Sequence, residues 1–202
     1  MLISIHPDNP QPRQLSMVKN CLENGGIIAY PTDTIYGLGC DIFHPEAIEK
    51  ICAIKKVAPE KAQLSFICAD LSNLSQYAKS IDNSLYRIMK KLLPGPYTFI
   101  LPASKEVPKI LQNKKKTIGL RIPDNKIALG IIETLGHPIL SASFPGEQVE
   151  DYTDPELIQE HWGHLVDMVI DGGIGGMIPS TVIDCTSDEL SVIRQGAGVW
   201  EY

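Results

Sequence analysis

A run of polar side chains at Pro31–Gly39 is the first place in this 202-residue chain where chemistry could occur. It reads P-T-D-T-I-Y-G-L-G, so two hydroxyls, a carboxylate and a phenol lie within five residues. The run follows the apolar segment Ile27–Tyr30, and α/β sheets bind ligands where their strands end. Its glycines would allow a ligand to approach the backbone closely. An ordinary turn after a strand explains the same composition, so both interpretations stay open.

Basic side chains at three further places could hold an anion. Arg121 lies inside the apolar segment T-I-G-L-R-I, where a guanidinium needs a partner such as a carboxylate or a phosphate. Arg194 ends the strand-like segment S-V-I-R, just before Gln195-Gly196, and would suit an anion at its tip. Lys55 and Lys56 end a helical pattern, where the helix dipole alone also favours lysine.

A lysine cluster at Lys114, Lys115 and Lys116 suggests a different kind of partner. The surrounding range Lys105–Lys126 holds seven basic and two acidic residues, although the chain has a net charge of −6. By contrast, Glu147–Asp171 holds eight acidic residues and no lysine or arginine. Local positive charge of this kind can contact nucleic-acid phosphates or can form a solvated turn.

Small hydroxyl residues mark two more candidate positions. Ser141 and Ser143 lie at the end of the strand-like segment P-I-L-S-A-S, and Ser180 opens the segment S-T-V-I-D. Such hydroxyls can donate to phosphate or carboxylate oxygens. The glycine-rich run at 172–176 matches the spacing of neither a P-loop nor a Rossmann fingerprint.

The composition excludes several classes of protein. With 44% hydrophobic and 21% charged residues, the chain is not intrinsically disordered, and its negative net charge excludes a general polycation that coats nucleic acid. The five cysteines are scattered without a C-x-x-C pair, and the histidines lack metal-ligand spacing, so we expect neither a disulfide framework nor a protein-ligated metal. Without a membrane span or a secretory signal, the sequence predicts a cytoplasmic protein. It leaves the oligomeric state open.

Alternating helical and strand-like patterns predict one α/β domain over residues 1–202, with a mixed sheet flanked by helices. The predicted helices are Gln11–Asn24, Pro45–Lys56, Asp82–Leu93, Asn125–Leu135 and one that begins at Asp154-Pro155. The predicted strands are Ile27–Tyr30, Leu64–Cys68, Tyr97–Leu101, Thr117–Ile122, Pro138–Ser143, Met168–Ile170, Thr181–Cys185 and Ser191–Arg194. The last two strands are expected to form a hairpin, which makes the sheet mixed.

These segments together resemble the YrdC/YciO family of threonylcarbamoyl-AMP synthase-like proteins. The most specific motif is G-G-I-I-A-Y-P-T-D-T-I-Y-G-L-G-C-D at Gly25–Asp41, and L-P-G-P-Y-T-F-I-L, T-I-G-L-R-I-P, P-S-T-V-I-D and I-R-Q-G follow in the expected order. The opening I-H-P-D-N-P-Q is closest to the YciO branch. The resemblance implies a twisted open sheet with a concave, positively charged face. It also implies a nucleotidyltransferase that makes threonylcarbamoyl-AMP from threonine, bicarbonate and ATP with Mg²⁺, for the threonylcarbamoyladenosine modification of tRNA.

The resemblance also implies roles for individual residues. Substrate contacts would fall to Thr34, Ser141 and Ser180, with Arg121 on the threonine carboxylate. Nucleotide contacts would fall to Lys55, Thr117, Ser143 and Arg194, and Lys55 would also be catalytic as the lysine of the family's K-x-R element.

Two departures from the family pattern bear on activity. The K-x-R element reads Lys55-Lys56-Val57, and the S-x-N element reads Ser143-Phe144-Pro145. A valine has no charge to stabilise a transition state, which can cost orders of magnitude in rate. The chain is therefore predicted to be either a synthase-type enzyme or a protein with weak or no synthase activity that binds double-stranded RNA or tRNA through Lys114, Lys115 and Lys116.

Overall fold

The strands are short and together form one sheet. The structure, a computed structural model, describes residues 1–59, 62, 64–111, 116–146, 152–187 and 189–202. The strands of these ranges are β1 (Leu2–Ser4), β2 (Ile28–Tyr30), β3 (Gly37–Asp41), β4 (Ser65–Ile67), β5 (Tyr97–Pro102), β6 (Thr117–Arg121), β7 (Ile139–Ser143), β8 (Met168–Asp171), β9 (Thr181–Asp184) and β10 (Ser191–Arg194).

Six α-helices connect these strands within the described ranges, and their bounds are α1 (Pro12–Glu23), α2 (Pro45–Ile54), α3 (Leu71–Tyr77), α4 (Asn83–Leu92), α5 (Lys126–Leu135) and α6 (Pro155–Trp162). Capping residues explain several of their starts. The carboxylates of Asp70, Asp82 and Asp154 accept hydrogen bonds from backbone N–H groups in the first turns of α3, α4 and α6. None of the described helices is both long enough and apolar enough to cross a bilayer.

The sheet is mixed, as the late hairpin predicts. Its order is β1-β8-β2-β3-β7-β4-β6-β5-β9-β10. Four neighbouring pairs are parallel, namely β1/β8, β8/β2, β4/β6 and β5/β9, and the other five are antiparallel. The predicted β9–β10 hairpin is confirmed by its antiparallel register.

Alternate residues of the strands enter two different cores. Ile28 and Tyr30 of β2 pack with α1 and α5, whereas Ala29 packs in the larger core with α2, α3, α4 and α6. Since successive side chains of a strand point to opposite faces, the two cores lie on opposite sides of the sheet. Among the described residues, the core with α1 and α5 contains none from β5, β6 or β9. On the side of the sheet that carries α1 and α5, the surface of β5, β6 and β9 is therefore left open.

The predicted helices and strands all occur, with ends shifted by one or two residues, but four elements of the described ranges were not predicted. These are β1, β3, α3 and a short 3₁₀ helix at Lys109–Leu111. The most consequential omission is β3, because its residues belong to the run that could also be read as a turn. Gly37 and Gly39 are poor strand formers by propensity, and pairing with β2 and β7 overrides that propensity.

Candidate functional site

The open half of the sheet face forms a cavity of about 560 Å³. Its floor is made by alternate residues of adjacent strands, and Ser141, Ser65, Gly119 and Ile100 lie side by side in one cross-strand row. The residues between them, such as Phe66, Leu120 and Leu140, are buried in the core on the other side. One alternation along each strand therefore builds both the core and the cavity floor.

The small side chains of this floor leave space for a ligand in the cavity. Gly119 lies so close to β4 that an added Cβ would be 2.6 Å from Ser65 Oγ and 3.3 Å from the Leu64 carbonyl oxygen. The hydroxyl-bearing floor residues are Ser65, Thr98, Thr117, Ser141, Ser143 and Ser180. The floor thus offers donors and acceptors to a ligand without filling the space.

Arg121 enters the cavity wall from the end of β6, and its partners come from the run after β2. Its Nη2 donates to Asp33 Oδ1 and, over 2.8 Å, to Thr34 Oγ1. The side chains of Arg121 and Asp33 are 9% and 10% exposed. The guanidinium partner that the sequence requires is therefore an internal carboxylate, which does not exclude a ligand on its remaining N–H groups.

Lys55 reaches the cavity from the C-terminus of α2. Its Nζ donates to the Ser143 carbonyl oxygen over 2.8 Å. The following residue, Lys56, has a left-handed φ of 54°, which ends the helix and turns the chain. Burial lowers the pKa of Lys55 below its ordinary value. The ammonium is thus partly desolvated and, among the described residues, has no carboxylate partner.

Arg194 closes the opposite side of the cavity. Its Nε and Nη2 both donate to the Ser180 carbonyl oxygen, over 3.1 and 2.8 Å, and Nη2 also contacts Ser180 Oγ. Burial, and secondly the positive charge of Arg121, lower the pKa of Arg194. The two guanidinium groups are therefore close enough to repel each other, and an anion between them would relieve that repulsion.

Buried hydroxyls fix two of the floor serines. Tyr30 OH and Ser141 Oγ are 2.6 Å apart, and Thr98 Oγ1 and Ser180 Oγ are 3.0 Å apart. Burial raises the pKa of Tyr30 to about 12, so its phenol keeps its proton at neutral pH. Tyr30 and Thr98, with Ser65 and Asp33, were not assigned roles from the sequence. For Thr98 and Ser65, the pattern that could have indicated a role is the alternation of hydroxyl and large apolar residues in Y-T-F-I-L and L-S-F-I-C.

The structure brings seven of the eight predicted small-molecule residues to this one cavity, which is lined by Lys55, Thr117, Arg121, Ser141, Ser143, Ser180 and Arg194. Thr34 is the exception. It is 2% exposed and lies behind Arg121, while Thr32 lines the cavity. Of the two family departures, Val57 lines the cavity and Pro145 is not among the described lining residues. The exposed Lys56 is also outside that lining.

The predicted RNA-binding lysines are only partly described. Lys114 and Lys115 lie outside the described residues. Lys116 is exposed, has a left-handed φ of 53° and does not line the cavity. RNA binding by this cluster stays a prediction.

Metal ligands are not grouped in the described ranges. No cluster of three or more His, Cys, Asp or Glu side chains that could hold an ion occurs there. The described cavity lining contains no carboxylate either.

Replacing Lys55 by Met should weaken ligand binding without lowering thermal stability. The folded-state pKa of Lys55 is lowered, so protonation favours the unfolded chain. This cost is full below that pKa and disappears as the pH rises from it to the ordinary pKa of lysine. At neutral pH the variant should melt at or above the wild-type temperature. With AMP as a probe for phosphate binding, the affinity should fall about tenfold or more, because the charge-assisted hydrogen bond that the ammonium can donate is lost.

Calorimetry with AMP and thermal melting test this expectation, and Lys56→Met is the matched control. That substitution removes a neighbouring exposed lysine and should leave AMP affinity unchanged. Equal effects of the two substitutions on AMP affinity would show that Lys55 has no special part in the site.

Comparison with known proteins relates this geometry to a family. A family model named for Sua5, YciO and YrdC, with the description "Telomere recombination", matches residues 20–196. The uncharacterized protein YciO of Escherichia coli (strain K12) is 46% identical over 197 residues, which cover 96% of this chain and 94% of that protein. The crystal structure of E. coli YciO has a TM-score of 0.92 at 44% identity and covers 98% of this chain and 97% of that one.

Two further relatives are a synthase and a protein whose structure was solved with an amino acid. A threonylcarbamoyl-AMP synthase of Photobacterium profundum is 31% identical over 187 residues, covering 90% of this chain and 98% of that protein. P. abyssi Sua5, solved in complex with L-threonine, has a TM-score of 0.86 at 27% identity over 97% of this chain and 57% of that longer chain. With most of its length matched by the family model and by these relatives, the chain belongs to the Sua5/YciO/YrdC family.

Proposed function

We propose that the cavity binds an adenine nucleotide together with threonine, and that the protein has threonylcarbamoyl-AMP synthase-type activity of low rate. One observation carries the proposal. The cavity is lined by three cationic side chains, Lys55, Arg121 and Arg194, and by no carboxylate among its described residues. A site of this charge favours ligands with several negative groups, as a nucleotide and an amino-acid carboxylate have. The relatives named above support the choice of these two ligands.

In this proposal the chain's own residues bind and orient the substrates. Lys55 and Arg194 hold phosphate oxygens, and Arg121 offers its remaining N–H groups to the carboxylate of threonine. The hydroxyls of the floor, fixed by Tyr30 and Thr98, complete the polar contacts. Catalysis would rest on placing the carbamate made from threonine and bicarbonate in line with the α-phosphate, and on stabilising the charge that develops there.

The valine in the K-x-R element is the reason for the low expected rate. Val57 lines the cavity and is 38% exposed, so this wall presents methyl groups where the family pattern has a guanidinium. Removing one group that stabilises a transition state typically lowers a rate by about 10²–10³. The Lys56 side chain is not part of the described lining and does not replace the missing charge.

Val57→Arg combined with Pro145→Asn should therefore raise the rate of threonylcarbamoyl-AMP formation, by about tenfold or more. The assay supplies ATP, threonine and bicarbonate with Mg²⁺, and measures threonylcarbamoyl-AMP and pyrophosphate. Val192→Arg is the matched control, because Val192 is also 38% exposed but lies outside the described lining. A double variant that folds and binds ATP without any gain would show that these two positions do not limit the chemistry. No product from any variant would refute the synthase proposal.

A further inference from the structure

The three cations of the cavity differ in how their charge is balanced. Lys55 donates to a backbone carbonyl and Arg194 to a backbone carbonyl and a hydroxyl, so both keep a full positive charge facing the cavity. Arg121 instead forms an ion pair with Asp33. Lys55 and Arg194 therefore bring uncompensated positive charge to the cavity, whereas the charge of Arg121 is compensated by Asp33.

Asp33 balances Arg121 from behind and does not reach the ligand space. It is not among the described lining residues, and its Oδ2 is buried with no hydrogen-bond partner in the described part of the chain. Thr34, whose Oγ1 accepts from Arg121, is buried beside it and is in turn 3.1 Å from Thr32 Oγ1. The guanidinium is thus fixed in place beside a carboxylate, in a poorly hydrated environment.

This arrangement distinguishes between two kinds of anion. A phosphate dianion near Arg121 would be attracted by the guanidinium and repelled by Asp33 a few ångströms further on, and neither effect is screened well at a buried site. An α-amino acid has a carboxylate for the guanidinium N–H groups and an ammonium that Asp33 attracts. The pair Arg121–Asp33 therefore matches a zwitterion better than it matches a phosphate.

We propose that Asp33 is a specificity-determining residue, which makes the Arg121 side of the cavity select a zwitterionic α-amino acid and reject phosphate. The proposal rests on the proposed function, since it concerns the same cavity. Asp33 would act through its ion pair with Arg121 and through its own negative charge, without touching the ligand.

The wild-type protein gives the first test, which needs no variant. L-threonine and 3-hydroxybutyrate, which is threonine with its amino group replaced by hydrogen, are titrated calorimetrically with AMP present. Threonine should bind about tenfold more tightly or better, because only threonine has the ammonium. Inorganic phosphate should not compete with threonine. Equal affinity for the two acids would overturn the role of Asp33, whereas absence of both threonine and AMP binding would refute the proposed function itself.

Asp33→Asn gives the second test, with Asp33→Glu as the conservative control. In Asp33→Asn the preference for threonine over 3-hydroxybutyrate should disappear, and phosphate should compete with threonine and raise the melting temperature more than it does for the wild type. Asp33→Glu keeps the charge and should keep the preference. A purely structural role would lower stability and both affinities together and leave the preference unchanged, which would contradict the proposal. If Asp33→Asn does not fold, the wild-type comparison of threonine with 3-hydroxybutyrate and the phosphate competition experiment still decide the question.

Discussion

Replacing Arg121 by Met should lower the free energy of unfolding by about 3–5 kcal/mol, the usual cost of breaking a buried ion pair from one side. Arg121 and Asp33 are both about nine-tenths buried, and no other cation forms a salt bridge with Asp33 among the described residues. The substitution would leave a desolvated carboxylate with no compensating charge. Urea denaturation monitored by circular dichroism measures the difference.

The double variant Asp33→Leu with Arg121→Met is the control for that result. Replacing both partners by apolar side chains removes the buried charges together, which is often neutral for stability. The double variant should therefore recover most of the stability that Arg121→Met loses. If the double variant is as unstable as the single one, the loss comes from packing or from the Thr34 contact rather than from the uncompensated charge.

Arg194→Ala should weaken AMP binding by about 1.5–3 kcal/mol, or roughly tenfold to a hundredfold. Its guanidinium lines the cavity and forms hydrogen bonds only with Ser180 among the described residues. The loss removes a charge-assisted contact to phosphate without leaving a buried charge behind, so stability should change little. Isothermal titration calorimetry measures the affinity.

Arg87→Ala is the matched control for Arg194→Ala. Arg87 is an exposed arginine on α4, a helix that packs in the core on the other side of the sheet. It should leave AMP affinity unchanged at moderate salt, because charges separated by more than about 10 Å are screened. Unchanged AMP affinity in Arg194→Ala itself would remove Arg194 from the phosphate site.

The residues of the cavity could largely be predicted from the sequence, because their chemistry is unusual for their surroundings. Arg121 in an apolar strand predicts a buried partner, and Ser141, Ser143 and Ser180 at strand ends predict a polar site. The identity of the partner could not be predicted from composition. Asp33 and Arg121 are 88 positions apart, and they meet only because the run after β2 packs against the end of β6.

The floor of the cavity shows a second limit of sequence reasoning. Ser65 and Thr98 read as ordinary members of two apolar strands, and alternation alone does not say which face of a strand is covered by a helix. That choice depends on the strand order, which places β4 beside β6 and β7. The strand β3 was missed for the same reason, since its glycines form a strand only because two neighbours pair with it.

The last strand, β10, carries the cavity residue Arg194 and also forms one edge of the sheet. Binding at Arg194 should therefore affect how easily this edge opens. All four of its residues are exposed, it pairs with β9 alone, and its register shifts between Val192 and Arg194. Edge segments with few buried contacts are the parts of a protein that open locally at the lowest free energy. Arg194 is anchored across this edge to Ser180, so an anion bound by Arg194 would also hold β10 against β9. Under the proposed function, nucleotide binding at Arg194 and pairing of this sheet edge would then be linked equilibria.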